Sequence, residues 1–413
     1  MPTAMRLKPM SAPIRFGQLL RELRTDRGWS LRDLGEKIQF NRGYIGKVEQ
    51  GEKFPDRQFA ELADPALAAH GALIDAWQAE AEERRKSERV GRLLTASVKD
   101  SLQLMATPDE QLLLPEIDQG ARSLAVDYLA KPPGPMLQAA VELRSEVIRR
   151  LRQHHYRPHE LADMYVTLGR IQGVLAYAAL DLGDADGAMV HANAAWTCAE
   201  RASDNELRAW VRGTQSLIAR FNTDYNSALN YVLDGLSWPT TGTGRLRLLC
   251  GLAQCRANLG DSNGANAALD QAQHEREALT STDSVQGLFT FSEAKQHYYA
   301  GSSLIWLPGA ADAERAVREA RQAIEMWESE TPEARSLDDE ALAHVYQATA
   351  HLQLNELDAT YTALRPILDL PEDRQISWIK KRMDRIAGML RVEKYHGSGL
   401  ANDLREEIRS YAT

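Results

Sequence analysis

A pattern that recurs at intervals of 40 and 37 residues places the strongest limit on the fold of this chain. In each copy an acidic residue near a turn is followed four positions later by an alanine, as in LGDADGAMVHANAAW, FNTDYNSALNYVLDGL and LGDSNGANAALDQAQ. The pairs are Asp184 and Ala188, Asp224 and Ala228, and Asp261 and Ala265. The surrounding apolar residues have helical spacing, and no series of strands is indicated. Helix pairs that repeat at about 34–47 residues are typical of an α-solenoid. The sequence therefore predicts an all-α fold.

Later copies of this pattern are less regular. The segments LPGAADAERAVREARQAI and LNELDATYTALRPIL have the character of second helices in further pairs, which brings the prediction to about five pairs. Alanines also fall where the tetratricopeptide (TPR) motif has small residues that let its two helices pack closely, namely Ala176, Ala192, Ala195, Ala253, Ala265 and Ala272. Most large aromatic positions of that motif are unmet. The prediction is therefore a TPR-like domain over residues 115–395, with an irregular helical bundle as the alternative.

Length and charge indicate more than one domain. The 413 residues suggest two or three domains of ordinary size. The net charge of −9 is unevenly distributed, because residues 1–92 hold 17 Lys and Arg against 14 Asp and Glu, and the remaining residues hold 32 against 44. This asymmetry is typical of a small basic module joined to an acidic body. We expect residues 1–13 to form a flexible arm, residues 81–114 a charged helical connector, and residues 396–413 a C-terminal helix or tail.

The cysteines and the hydropathy pattern indicate the cellular compartment of the protein. Cys198, Cys250 and Cys255 form no CxxC pair, so we expect reduced thiols. No run of about 18 apolar residues occurs, so we expect no membrane span. The sequence therefore predicts a cytoplasmic protein.

The stretch WSLRDLGEKIQFNRGYIGKVEQG, residues 29–51, contains two short helical patterns separated by a three-residue turn. Ser30 is in position to cap the first helix, with Asp33 as its capping-box partner. Asn41 caps the second helix and Gly51 ends it. This order follows the helix-turn-helix plan, in which the second helix enters the major groove of DNA.

From Ile14 to Trp77 the chain resembles the Xre, or lambda-repressor-like, family of helix-turn-helix regulators. LRELRTDRGWSLRDLGEKI and NRGYIGKVEQGEKFP carry the resemblance, which implies a DNA-binding domain over residues 14–80. It also implies that Arg24 and Glu49 form a structural salt bridge. The positions that it assigns to DNA binding are Arg32, Asn41, Arg42, Gly43, Tyr44, Lys47 and Lys53.

Arg42 and Lys47 are the candidates for base recognition among these positions, because their donors match guanine O6 and N7. Lys53, in the loop after the reading helix, is better placed for phosphate, which adds affinity without sequence information. The chain departs from the family by having Gly43 and Gly46 inside the reading helix, where each glycine costs about 1 kcal/mol relative to alanine. Gly43 offers no side chain to a base, so recognition rests on few residues.

The TPR-like domain offers a second candidate site. The first helix of each pair turns one face toward the concave surface, and side chains there can bind a peptide or a polar small molecule. The predicted effector residues are Arg170, Tyr177, Trp210, Arg220, Arg247, Gln254, Asn258, Tyr298 and His344. The two domains together resemble Xre-type regulators with TPR-like sensor domains, including the peptide-responsive RRNPP group and similar actinomycete regulators. This resemblance implies a homodimer that binds a double-stranded DNA operator and responds to an effector.

Catalytic motifs are missing from the sequence. GxSxG, HExxH and GxGxxG do not occur, and GYIGK lacks the Ser or Thr and the preceding strand of a P-loop. We therefore expect no enzymatic activity, no cofactor and no metal site. The alternative function is a TPR-like protein-interaction scaffold, or an antitoxin-like partner, in which DNA binding is secondary.

Overall fold

The computed structural model describes residues 15–106, 115–152, 156–332 and 334–412. Within these ranges all regular secondary structure is helical, as predicted. The chain divides into two compact units, residues 1–92 and 93–413. The predicted arm, residues 1–13, lies outside the described residues, and so does the end of the predicted connector, residues 107–114.

Short helices that surround one small core form the first unit. They are α1 (Phe16–Asp26), α2 (Leu31–Ile38), α3 (Arg42–Glu49), α4 (Arg57–Ala66) and the first part of α5 (Ala72–Ala106). The core side chains are fully buried and include Phe16, Leu20, Leu34, Ile38, Ile45, Val48 and Phe59. Phe59 packs edge-to-face on Phe40, with ring centroids 4.9 Å apart. The buried carboxylate of Asp64 accepts bonds from the amides of Gly71 and Leu73 and so caps the start of α5.

The second unit contains the end of α5 and a long series of helices. They are α6 (Pro115–Ala130), α7 (Pro133–Leu151), α8 (Pro158–Asp181), α9 (Ala185–Ala202), α10 (Asn205–Phe221), α11 (Tyr225–Leu236), α12 (Gly244–Asn258), α13 (Ser262–Ala278), α14 (Glu293–Leu304), α15 (Ala310–Glu328), α16 (Leu337–Gln353), α17 (Leu357–Leu368), α18 (Ser377–Met389) and α19 (Gly399–Ala412). No helix in the described ranges combines the length and apolar character that a membrane span requires.

Five successive helix pairs, from α8 and α9 to α16 and α17, form the body of this unit. Each pair packs internally, and the first helices α8, α10, α12, α14 and α16 contact one another in that order. The segments predicted to be second helices of the later pairs are α15 and α17, which confirms that prediction. Because each pair contacts chiefly its neighbours, the unit is an α-solenoid rather than an irregular bundle.

The recurring acidic residue and alanine have the roles that their spacing predicts. Asp184, Asp224 and Asp261 are the N-caps of α9, α11 and α13, and each side chain accepts a hydrogen bond from the amide three residues later. The alanines four positions on, Ala188, Ala228 and Ala265, are all fully buried. The cap starts the second helix, and the alanine lets that helix pack closely on the first.

A buried polar network attaches the end of α5 to α7, α8 and α9. His191 of α9 is fully buried, and its Nε2 lies 2.8 Å from the Ser97 Oγ of α5. Its Nδ1 lies 2.6 Å from the Ser101 Oγ and 2.9 Å from the Gln172 Oε1 of α8. Arg144 of α7 donates to the carbonyl of Ser97 at 2.8 Å. Burial, together with the charge of Arg144, lowers the pKa of His191 to about 3, so the ring is neutral near pH 7.

This network predicts a loss of stability in acid. In the unfolded chain His191 titrates near its ordinary pKa of about 6.5, whereas in the folded chain it stays neutral down to about pH 3. As the pH falls through this window the unfolded chain binds a proton that the folded chain does not. The free energy of unfolding therefore falls by up to about 1.4 kcal/mol per pH unit from this group. His191→Gln removes the titrating ring, so it is expected to flatten this pH dependence.

Urea unfolding of the second unit at several pH values, for the wild type and His191→Gln, measures the difference. His274→Gln is the matched control, because His274 is exposed. Equal pH dependence in the wild type and His191→Gln would contradict the role of His191.

Candidate nucleic-acid interface and ligand cavity

The turn between α2 and α3 is three residues long, as predicted. Helix α2 ends at Ile38, Gln39 has a left-handed backbone with φ of 59°, and α3 begins at Arg42. The Ser30 hydroxyl accepts a bond from the Asp33 amide at 3.2 Å, and the Asp33 carboxylate accepts one from the Ser30 amide at 2.7 Å. This reciprocal pair is the predicted capping box at the start of α2.

Two local features set the start and the end of α3. The Asn41 Oδ1 accepts a bond from the Gly43 amide at 2.7 Å, which is the predicted cap. Gly51, just after the helix, has φ of 76°, a conformation that glycine adopts without strain. A Cβ at Gly35 of α2 would lie 2.6 Å from the carbonyl oxygen of Phe40, so the tight turn into α3 requires glycine there.

A buried ion pair joins α1 to the end of α3. The Arg24 Nε donates to the Glu49 Oε1 at 2.6 Å, and its Nη2 donates to the Oε2 at 2.7 Å. The third donor, Nη1, bonds to the carbonyl of Trp29 at 2.6 Å. The hydrogen bonds to Glu49 raise the pKa of Arg24. The predicted structural salt bridge is thus confirmed, and its fork geometry fixes both distance and angle between the two helices.

One face of α3 is open and cationic. The exposed residues of the helix and its C-cap are Arg42, Gly43, Lys47 and Gln50. Their spacing places them together, while Ile45 and Val48 point into the core. Neither Arg42 nor Lys47 has an ion-pair partner among the described residues, so both cations are available to a ligand. Gln50 was not among the predicted contacts, although its position three residues after Lys47 indicates the same face.

The remaining predicted DNA-binding residues lie outside this face. Arg32 is exposed near the start of α2, where its Nε pairs with Glu36 at 2.9 Å. Tyr44 is half-buried, and its ring centroid lies 5.6 Å from that of Phe59. The Nζ of Lys53 lies 4.9 Å from the centroid of the Tyr44 ring. Tyr44 therefore supports Lys53 at the end of the reading helix, and Asn41 is engaged as the cap of α3.

Substitution by alanine is expected to have opposite effects at two glycines. Gly17 lies where α1 contacts α3, and Gly46 lies within α3. A Cβ at Gly17 would lie 2.2 Å from the carbonyl oxygen of Val48, which is backbone and cannot give way. At Gly46 the nearest atom is the Leu31 Cδ1 at 3.5 Å, an ordinary contact. We expect Gly17→Ala to destabilise the first unit by about 1–3 kcal/mol through overpacking. Gly46→Ala should stabilise it by up to about 1 kcal/mol through helix propensity.

Amide hydrogen exchange in the full-length protein, followed over α1 to α3, measures both effects. Gly46→Ala is the matched control, because it adds the same methyl group within the same unit. Slower exchange in Gly17→Ala than in the wild type would contradict the close contact of α1 with α3.

A cavity lies inside the second unit among α6, α8, α10, α12, α14, α16 and α18. Its polar and aromatic walls include Tyr128, Tyr177, Asp181, Arg220, Arg247, Gln254, Phe291, Lys295, Tyr298, Tyr299, Asp338, Asp339, Tyr346 and Trp378. The cavity volume is about 70 Å³, whereas one water needs about 10–15 Å³. The cavity therefore has room for several waters or for one small polar group.

The acidic side of the cavity is engaged by its own neighbours. Asp181 accepts a hydrogen bond from the Tyr128 hydroxyl at 2.5 Å. Burial, strengthened by the nearby Asp338 carboxylate, raises the pKa of Asp181 well above its ordinary value. Asp338 pairs with Arg374 at 3.3 Å. Burial raises the pKa of Asp338 to about 6, although Arg374 acts in the opposite direction.

The cationic side contains Lys295 and two arginines. The Nζ of Lys295 lies 3.7 Å from Asp339, and burial lowers the pKa of the lysine in spite of that carboxylate. Arg247 donates to the carbonyl of Trp210 at 2.6 Å and to the Tyr177 hydroxyl at 2.8 Å, and none of its acceptors is a carboxylate. The cavity thus combines charges of both signs in a space shielded from bulk water.

Five of the nine predicted effector residues line this cavity, namely Tyr177, Arg220, Arg247, Gln254 and Tyr298. The other four do not line it: Arg170, Trp210, Asn258 and His344. Arg170 pairs with Asp118 at 3.3 Å, and the Trp210 ring packs against Phe289 with centroids 4.5 Å apart. His344 is half-buried, and burial lowers its pKa.

Several cavity residues were not predicted from the sequence. They include Tyr128, Asp181, Lys295, Asp338 and Asp339. They come from α6, α8, α14 and α16, and no local motif marks them. Among the described residues, no group of His, Cys, Asp and Glu side chains is arranged to hold a metal ion.

Comparison with known proteins concerns mainly the first unit. Residues 15–77 match a family model described as "Helix-turn-helix domain". No curated protein matches the chain. Among solved structures, the chain is similar to the crystal structure of Bacillus thuringiensis PlcR in complex with the peptide PapR7 and DNA, with 11% identity, 92% of this chain and 99% of that chain covered, and a TM-score of 0.31. The match to the family model and the geometry of α2 and α3 together establish that residues 15–77 form a helix-turn-helix domain.

Proposed function

We propose that this chain, whose residues 15–77 form a helix-turn-helix domain, is a sequence-specific DNA-binding transcriptional regulator. The open cationic face of α3 carries the proposal. A short helix with two cations that are unpaired within the described residues, fixed by its Asn41 cap and by a buried ion pair, suits insertion into the major groove.

Five residues of the domain contact DNA in this proposal, in three different ways. Arg42 and Lys47 donate to guanine O6 and N7 and supply sequence preference. Gly43 lets the helix backbone approach the bases closely. Lys53 and Arg32 contact phosphates and supply affinity that falls with added salt.

The second unit is proposed to sense a peptide or small-molecule effector. Its cavity places buried donors and acceptors beside aromatic rings, an arrangement that can orient a small polar ligand. An effector alters DNA affinity only when it binds two states of the protein with different strength. We propose that the protein acts as a homodimer on two half-sites, with their centres about one helical turn apart.

Mapping of bound genomic sites in the source cell, with and without added culture extract, tests this function. The proposal expects discrete sites that share a sequence and that change in occupancy with the extract. Diffuse binding without a shared sequence would contradict it. If one other protein also co-purified in fixed stoichiometry, the result would favour a protein-interaction scaffold or antitoxin-like partner instead.

A further inference from the structure

Arg220 lies in the cavity wall, and its side chain has no ion-pair or hydrogen-bond partner within the described ranges. It belongs to the last turn of α10, and only 7% of it is exposed. Its Nε is buried and makes no hydrogen bond, and its side chain forms no ion pair or hydrogen bond with any described residue. Arg144, another buried arginine of this unit, pairs with Asp100 at 2.8 Å. Arg220 therefore differs in lining a cavity without a carboxylate partner among the described residues.

A buried guanidinium in this state is unfavourable. Its Nε–H has lost water, and no described residue supplies an acceptor in its place. Leaving a charge buried and unpaired is among the most destabilising arrangements in a protein interior. Such a guanidinium is suited to a binding site in which a bound anion supplies the missing hydrogen-bond acceptor.

The carboxylates of the cavity do not supply that anion. Asp338 is paired with Arg374, and Asp339 with Lys295. Asp181 accepts a hydrogen bond from the Tyr128 hydroxyl. The anion must therefore come from a ligand.

Gln254 narrows the chemical class of that ligand. Its side chain is buried in the same cavity, and its Oε1 has no hydrogen-bond partner among the described residues. The site therefore lacks both an anionic acceptor, for Arg220, and an N–H donor, for Gln254. A carboxylate accompanied by an N–H group meets both conditions, and its size suits the cavity.

We propose that this cavity binds the carboxylate of an amino acid or of the C-terminal residue of a short peptide, with Arg220 as the ion-pair partner and Gln254 as the N–H acceptor. The proposal rests on the proposed effector-sensing function and specifies the chemistry of its ligand. The planar guanidinium suits a carboxylate because two parallel N–H···O bonds form at once. The rings of Tyr298, Tyr299 and Trp378 provide apolar surface for the rest of the ligand.

Thermal unfolding of the full-length protein tests the proposal without DNA, so its outcome is independent of whether the chain regulates transcription. The probes are a mixture of free amino acids, a pool of random tetrapeptides with free C-termini, the same pool with C-terminal amides, and inorganic phosphate. We expect the wild type to be stabilised by the amino acids or by the free-acid pool, and not by the amidated pool or by phosphate. Stabilisation by the amino acids identifies a free amino acid as the source, and stabilisation by the free-acid pool alone identifies a peptide terminus.

Two variants separate a ligand-binding role of Arg220 from a structural one. Arg220→Met is expected to weaken binding of the stabilising probe by about ten- to a hundredfold, because a hydrogen-bonded charge pair is lost. It should also raise the midpoint of the ligand-free protein by about 2 °C or more, because an unpaired buried charge is removed. Arg318→Met is the control, since Arg318 is exposed on α15 and outside the cavity, and both its midpoint and its response should match the wild type.

Three results would overturn the proposal: no stabilisation of the wild type by any probe, equal stabilisation by the free-acid and amidated pools, or an unchanged response in Arg220→Met. The comparison of free and amidated pools uses the wild type alone, so it decides the question even if Arg220→Met fails to fold.

Discussion

Arg42→Ala and Lys47→Ala are each expected to lose roughly 5- to 150-fold of the preference of the full-length protein for its operator over random DNA, the range that one good base contact supplies. Both side chains lie on the exposed face of α3, and neither is paired within the described residues. Their removal takes away base contacts without leaving a buried group unsatisfied. The fold should therefore be unchanged while recognition is lost. Competition gel shifts with operator and random duplexes measure the preference.

Lys86→Ala is the matched control for this experiment. It removes one positive charge from the same unit, but from the exposed middle of α5 rather than from α3. It should reduce operator and random-DNA affinity together, or neither, because phosphate contacts carry no sequence information. Wild-type preference in both α3 variants would contradict the assignment of α3 as the reading helix.

The buried pair of Arg24 and Glu49 predicts the second large effect. Arg24→Met leaves the Glu49 carboxylate buried without a partner, since only 5% of that side chain is exposed. Breaking such a pair typically costs about 3–5 kcal/mol. We expect a loss of this size in the local stability of the first unit. The double variant Arg24→Met/Glu49→Leu should recover most of it, because two apolar side chains of similar volume leave no buried charge.

Amide hydrogen exchange over α1 to α3 in the full-length protein reports this local stability. Operator binding should be weakened in Arg24→Met in proportion to the unfolded fraction and restored in the double variant. A double variant as unstable as Arg24→Met would show that the pair stabilises the unit chiefly through the bond of Arg24 to the Trp29 carbonyl.

Features set by local chemistry could be predicted from the sequence. The caps at Ser30 and Asn41, the three-residue turn between α2 and α3, and the caps that start α9, α11 and α13 all depend on residues within four positions of one another. A Ser, Asn or Asp before a helical pattern has few other roles that satisfy free amides. The salt bridge of Arg24 with Glu49 spans 25 residues, and it was predicted only through the resemblance of this segment to a family.

Features that depend on packing between distant segments could not be predicted. Gly17 has no helical or turn signal, and its need for glycine comes from a carbonyl of α3. The network of His191 joins residues up to 94 positions apart. Tyr128 and Asp338 lie in the same cavity because the helix pairs of the second unit stack in a fixed order. A repeat of moderate regularity predicts the stacking, but it does not specify which side chains meet inside.

Selection of bound sequences from a random duplex pool by the full-length protein, followed by footprinting on the enriched site, tests the central claim most directly. If α3 reads DNA in a homodimer, we expect one enriched sequence with two guanine-containing half-sites whose centres lie about 10–10.5 base pairs, or a multiple of this, apart. Methylation of guanine N7 within them should block binding, and the Arg42→Ala/Lys47→Ala protein should enrich nothing. Failure of the wild type to enrich any sequence, or equal enrichment by the double variant, would contradict the claim that α3 reads DNA.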